Sequence, residues 1–192
     1  MLLAPLWQRV ATAAVVPPTV TGVMAVTQGL AGMGACTTLA IIGGNYTEKF
    51  IRVPSTISDA NLAALPQTLA RTLIVPSLVE EVLWRVILQP PGMPLPYMIL
   101  VNLAFAGYHV VGSATLAERL EGRQGARAVF SDPTFLMLAF LLGNACSYTY
   151  VKAGYALWAP VVTHAIPVTL WLTSVGGDAA LSTPGGLSSS SR

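Results

Sequence analysis

Apolar residues fill this chain in long stretches, and the few charges punctuate them. Residues 10–46, 86–117, 134–151 and 153–177 carry no charged side chain at all. A membrane-spanning helix needs about 20 mostly apolar residues, so each run has room for one. Pro17-Pro18 and a Gly-rich middle set the first span near residues 19–43. A third helix is expected over 94–112. Asp132-Pro133 opens a fourth, which stops at Lys152-Ala153-Gly154, and 155–175 makes a fifth. The second, over 61–89, is bounded by Ser58-Asp59 and Pro90-Pro91. It contains Arg71, Glu80, Glu81 and Arg85, and a hydropathy window alone would reject it.

The expected fold is therefore all-α, a multi-pass transmembrane bundle of about five helices. Residues 1–60 form an N-terminal region with one spanning helix and a polar loop, and 61–175 form a four-helix core. Residues 113–132 read as a polar loop with three arginines, and 176–192 as a Gly/Ser-rich, disordered tail. No internal repeat and no second domain are visible.

Composition strengthens the membrane reading. Of 192 residues, 54% are hydrophobic and 9% charged, whereas an ordinary soluble domain carries about 25% charge. With a mean hydropathy of +0.65, this excludes a disordered chain, a nucleic-acid-binding module and a soluble enzyme of ordinary surface. The net charge of +2 names no polyanionic partner. The expected partner is the membrane itself. Cys36 and Cys146 lie 110 residues apart with no CxxC spacing and read as small buried hydrophobes. The N-terminal apolar stretch is too long for a signal-peptide core and reads as membrane-embedded. Five spans would put Arg9 and Lys152 on one side and Lys49, Arg52, Arg119, Arg123, Arg127 and Arg192 on the other. The positive-inside rule then places the Arg-rich loop and the C-terminus in the cytoplasm or its equivalent.

Against this background the intramembrane ionisable groups stand out, since a charge at mid-bilayer costs at least about 2.5 kcal/mol. They are Glu80, Glu81 and Arg85 on the second helix, His109 on the third and His164 on the fifth. Glu81 and Arg85 are spaced i, i+4 and can pair along the helix. Glu80 lies about 100° round from Glu81, with Trp84 one turn away on its own face. Glu81–Arg85 thus reads as a structural ion pair, with Glu80 left facing a cavity, where a carboxylate can take a proton from water. Phe105 and His109 share a face of the third helix, and Asn102 lies nearly on it. Glu80, His109 and His164 together suggest a polar intramembrane site.

These residues resemble a known family. Glu80-Glu81-Val-Leu-Trp-Arg85 is similar to EExxxR, and Phe105-Ala-Gly-Tyr-His109 to FxxxH, the first two motifs of the CPBP (CAAX protease and bacteriocin-processing) intramembrane proteases. Residues 135–171 resemble that family's last two core helices, and the likeness covers roughly 64–172. The resemblance implies an intramembrane endopeptidase of the type II CAAX prenyl endopeptidase kind, acting on a peptide or protein substrate. It makes Glu80 the general base on water. His109 binds and orients that water, His164 stabilises the oxyanion, and Glu81 and Arg85 support the site. The family's third motif is usually HxxxN; here the Asn position is Val168, preceded by Pro167. Asn102 and Asn144 are the side chains that could substitute as oxyanion donors.

Three alternatives stand beside this reading. Zinc held by Glu80, His109 and His164 would replace the metal-free mechanism, although the arginine of EExxxR opposes cation binding and no cofactor is expected. Val168 motivates a catalytically silent membrane scaffold. A proton-coupled transporter would use Glu80 and the histidines as a relay, but five helices without repeat symmetry suit alternating access poorly.

Overall fold

A computed structural model describes residues 5–42, 59–119 and 125–182. These are helical, with no strand among the described residues: α1 (Leu6–Val15), α2 (Val20–Ile42), α3 (Asp59–Thr72), the short α4 (Val79–Glu81), α5 (Leu95–Arg119), α6 (Ala126–Phe130), α7 (Pro133–Lys152), α8 (Trp158–Ser174) and α9 (Gly177–Ser182). The all-α bundle expected from the sequence is the observed fold. Of the loop cations used to orient it, Lys49, Arg52, Arg123 and Arg192 lie outside the described residues.

Among the described residues, three helices or four have the length and apolarity of a span. Leu62–Ile87, Leu95–Gly112 and Pro133–Lys152 are long and apolar enough to cross a membrane, and α1 with α2 makes a fourth if that pair, bent by 95°, is one span. The expected fifth, α8, has 17 residues, at the short limit for a span. Its Ala159, Thr163, His164, Ala165 and Thr169 are buried, so it is the helix that the others surround. The second span passes on apolarity despite its four charges, because three of them, Glu80, Glu81 and Arg85, crowd into its final third.

That second element is also not one smooth helix. Val75, before Pro76, leaves helical geometry at φ −136°, ψ 119°, as a residue preceding proline is driven to do. The chain is thus kinked within residues 73–78, before α4, and a wide π-helical turn, Val82–Ile87, follows it. Such turns are uncommon and are frequent at functional sites. Residues 113–132 are not simply a loop: α5 runs on to Arg119, and α6 buries Ala126 and Val129. The segment read as tail likewise begins with α9, whose Ala180 and Leu181 pack on α6 beside Trp171. A few apolar residues in an otherwise polar stretch suffice once a partner surface exists.

Packing is inside-out relative to a soluble protein. Large apolar side chains face outward, among them Ile74, Leu100, Leu103 and Val111, while Glu81, Arg85 and Asn102 are fully buried. α7 contacts α2, α5 and α8. Asp132 caps its N-terminus by accepting from the Thr134 amide at 2.9 Å, with Pro133 at the first turn. Gly143 lets α5 approach α7 closely: a Cβ there would lie 3.1 Å from the Phe105 ring and 3.2 Å from Asn102 Oδ1. Thr72 and Thr169 hydroxyls, 2.6 Å apart, tie α3 to α8. Thr163 donates to Thr149 at 3.3 Å and ties α8 to α7. At the end of α7, Gly154 and Tyr155 take positive φ and turn the chain into α8.

Candidate active site

The fold brings α4, its flanking turns, α5, α7 and α8 around one buried cluster of charge. Glu81 is its hub. Its Oε2 lies 2.9 Å from Arg85 Nε, the i, i+4 pair that the sequence suggests. Its Oε1 lies 2.7 Å from His164 Nδ1 on α8. A carboxylate only accepts, so His164 carries its hydrogen on Nδ1 and turns Nε2 the other way. There Glu80 Oε2 stands 3.9 Å off, beyond hydrogen-bond reach. That oxygen is buried and has no hydrogen-bond partner. Glu80, His164, Glu81 and Arg85 therefore form a row of acid, base, acid, base, an order that compensates charges buried among apolar helices.

His109 is fixed differently. Its Nδ1 lies 2.9 Å from its own helix's Phe105 carbonyl, an acceptor, so Nδ1 bears the hydrogen and Nε2 is free for other work. The rings of Phe105, Tyr108, Phe130 and Phe135 stand 5.0–5.7 Å from it by centroid and wall it in. Phe105 is the shared partition, also in edge-to-face contact with His164 at 5.9 Å and Trp84 at 5.6 Å. The Arg85 guanidinium carbon sits 5.3 Å from its centroid.

Behind Arg85 lies a second polar layer. Asn102 Oδ1 accepts from Arg85 Nη1 at 3.2 Å, Gln89 Nε2 at 3.1 Å and Ser147 Oγ at 3.1 Å. Asn102 Nδ2 donates to Asn144 Oδ1 at 3.1 Å, and Asn144 Nδ2 to the Phe140 carbonyl at 2.8 Å. Both asparagines thus stand in the network that holds Arg85. No asparagine stands one turn after His164: Val168 is there, and it packs with Met33, Leu142 and Cys146.

Several contributors escape sequence reading. Gln89 continues the four-residue spacing of Glu81 and Arg85, a usable signal, whereas Ser147 has none beyond lying three residues after Asn144. Phe130 belongs to the stretch read as loop. Arg9 donates from α1 to the carbonyls of Val86 and, at 3.1 Å, Ile87, capping the end of the site helix. Nothing in the local sequence of α1 announces that contact.

Atoms of metal-ligand type also meet within this cluster. Among the described residues, ligand atoms of Glu81, Cys146 and His164 come within 4.8 Å of one another, a different trio from Glu80, His109 and His164. They do not suit a divalent cation. Arg85 already neutralises Glu81 at 2.9 Å, Glu81 and His164 satisfy each other, and the Cys146 thiol donates to the Pro160 carbonyl at 3.6 Å.

A family model described as Rce1-like, type II CAAX prenyl endopeptidase Rce1-like, matches residues 62–169, more than half of the chain. No curated protein and no solved structure matches the chain significantly. The matched stretch runs from the start of the second span to α8 and contains Glu80, Glu81, Arg85, His109 and His164. With helices long and apolar enough to cross a bilayer, the chain belongs to the Rce1-like family of intramembrane CAAX endopeptidases.

Proposed function

We propose that the protein hydrolyses a peptide bond within the membrane with a water activated by Glu80 and without a metal. The observation that carries this reading is the gap of 3.9 Å between Glu80 Oε2 and His164 Nε2. It separates two groups, one an unpartnered buried oxygen, at a spacing that a single bridging water fits. In the reaction Glu80 takes a proton as the water oxygen attacks the scissile carbonyl carbon. The developing oxyanion is met by His164 when its ring also carries a proton on Nε2: Nε2–H donates to the oxyanion, Nδ1–H stays on Glu81, and both protons remain on the ring through the step. The C–N bond then breaks, and the proton held by Glu80 passes to the leaving amine. His109, hydrogen-bonded through Nδ1, offers Nε2 to orient the water. The aromatic wall around it keeps bulk water out. Arg85, Asn102, Gln89 and Ser147 position Glu81, and through it His164.

On the same reading the end of the bundle bearing Arg127 and α9 faces the cytoplasm, with Arg9 and Lys152 opposite. The clustering of Ala13 of α1 with Tyr150 and Leu157 at one end supports that pairing. A second reading, a catalytically silent scaffold, is favoured by Val168, which packs in an apolar cluster and offers no oxyanion donor. One experiment separates the two. Purified detergent-solubilised protein is given a fluorogenic membrane-peptide library, with Glu80→Ala in parallel and a chelator in a third arm. Cleavage lost in Glu80→Ala and kept under chelation supports the glutamate mechanism. A folded protein that cleaves nothing, and a Glu80→Ala chain that restores the phenotype of a deletion, would establish the scaffold.

A further inference from the structure

On the side of α7 away from the site, α2 and α7 leave a groove of about 480 Å³ between them. The helices run antiparallel: Tyr148 Oη donates to Gln28 Oε1 at 2.5 Å at one end, while Cys36 and Leu141 line the other. From Tyr148 to Leu141 the groove descends about 10 Å along α7, at 1.5 Å per residue. Its middle is open at Gly32, where a Cβ would meet nothing within 4 Å.

The groove is not uniformly apolar. With Gln28 Oε1 taken by Tyr148, the Gln28 amide hydrogens are left over. Asn144, also in the lining, gives one amide hydrogen to Phe140 and keeps the second. Free donors facing hydrocarbon are costly, and an ester carbonyl would satisfy them. One turn beyond Tyr148, on the same helical face, is the exposed cation that ends α7. Lys152 Nζ lies 6.0 Å from the Tyr148 ring centroid and pairs with no acid among the described residues. The order from the membrane boundary inward is thus cation, amide donors, apolar slot. That is the order of phosphate, ester and acyl chain in a phospholipid.

We infer that the α2–α7 groove binds an anionic phospholipid, its phosphate at Lys152, its ester region at Gln28 and Asn144, and its acyl chain over Gly32. Of the groups the inference uses, Asn144 also belongs to the network behind the candidate active site, through its Oδ1; the inference does not depend on the protease reading.

Native mass spectrometry of the full-length protein, released from micelles holding equal phosphatidylglycerol and phosphatidylcholine, tests it. The wild type should retain one phosphatidylglycerol in preference to phosphatidylcholine by about fivefold, the contribution of one lysine near an anionic lipid surface. Lys152→Gln should bring that ratio close to one, and Gly32→Leu, which fills the slot, should lose both lipids. Cys36 supplies a second readout that needs no variant. Phosphatidylglycerol should slow its modification by an apolar maleimide several-fold and inorganic phosphate should not, while buried Cys146 stays unmodified as a check on folding. Equal retention of the two lipids by the wild type would overturn the inference. So would full retention by Gly32→Leu, a Cys36 rate indifferent to lipid, or a dimer that Gly32→Leu splits, which would make the occupant a second copy of the chain.

Discussion

Glu80 and Glu81 are neighbours on one turn, yet they sit in two different regions of the polar cluster. Glu81 is fully buried and has a partner for each oxygen, at 2.7 and 2.9 Å. Glu80 is 14% exposed through its side chain, and its nearest basic group is 3.9 Å away. Everything inward of Glu81 continues the same pattern, with Arg85, Asn102, Gln89 and Ser147 joined by hydrogen bonds. Outward, the Glu80 oxygen and the free Nε2 atoms of both histidines keep capacity to spare. A network whose charged members are paired with one another fixes geometry, although Arg85 Nη2 and Gln89 Oε1 are buried without a hydrogen-bond partner of their own. An unsaturated rim attached to it can do chemistry, because its groups are held in place without being used up. The difference separates positioning from reaction within one helical turn.

The largest expected effect comes from breaking the outer region. Glu80→Gln should lower turnover by about 10²–10⁴-fold, the range for a positioned general base. Thermal unfolding should be nearly unchanged, since no partner within hydrogen-bond distance is lost. Peptide cleavage and a melting curve on the same preparation check both halves of the statement. A large fall in stability would show that Glu80 belongs to the inner region.

Breaking the inner region should reverse the pattern. Arg85→Met leaves Glu81 buried beside a neutral side chain and should cost about 3–5 kcal/mol. Glu81→Gln with Arg85→Met together should cost less than the two single changes summed, because neither charge is then stranded. A double-mutant cycle of unfolding measurements reads this coupling directly. Additive losses would mean that the two side chains act independently, against their 2.9 Å contact.

How far these regions are legible in the sequence follows the same division. The i, i+4 spacing of Glu81 and Arg85 predicts their pairing, since both lie on one helix. The all-α membrane architecture is legible too, because uncharged runs of spanning length carry it. The bond from Glu81 to His164 joins residues 83 apart, and no local period encodes which carboxylate a distant histidine will meet. The three donors that converge on Asn102 come from the site helix and α7, equally beyond reach. Span number is less legible: apolarity marks α8 as a membrane helix, and its burial at the centre of the bundle yields the same composition as lipid exposure. Pro76 signals the break at Val75, whereas nothing in the local sequence announces the wide turn over Val82–Ile87.

A smaller effect is expected where the two regions are tied. Asn102→Leu removes the acceptor shared by Arg85, Gln89 and Ser147, and should destabilise by about 1–3 kcal/mol. Turnover should fall less than in Glu80→Gln, since Asn102 acts on the reaction only by holding Arg85. Val168→Asn should work in the opposite direction on activity. The substitution places a polar group beside Met33, Leu142 and Cys146 and should cost about 1–3 kcal/mol of stability. If it supplies an oxyanion donor, turnover should rise by up to about 10²-fold, the lower end of the loss seen when such a donor is removed. Unchanged turnover in a folded Val168→Asn chain would show that the oxyanion is already fully served without it.

The smallest expected effect is none, and it bears on the inner region alone. Chelation should leave cleavage within about twofold of the untreated rate. The argument is electrostatic: a dication among Glu81, Cys146 and His164 would have to displace the Arg85 guanidinium from 2.9 Å or share a carboxylate with it, and like charges that close in a poorly solvated site repel strongly. It would also have to strip the hydrogen from His164 Nδ1, breaking the contact that orients the ring. Loss of cleavage on chelation, restored by added zinc, would require Arg85 to move away in the active state. The inner region would then be a resting arrangement of the reactive one, and the contrast between Glu80 and Glu81 would disappear. Cleavage that persists under chelation and is abolished by Glu80→Gln would leave that contrast as the organising feature of the site.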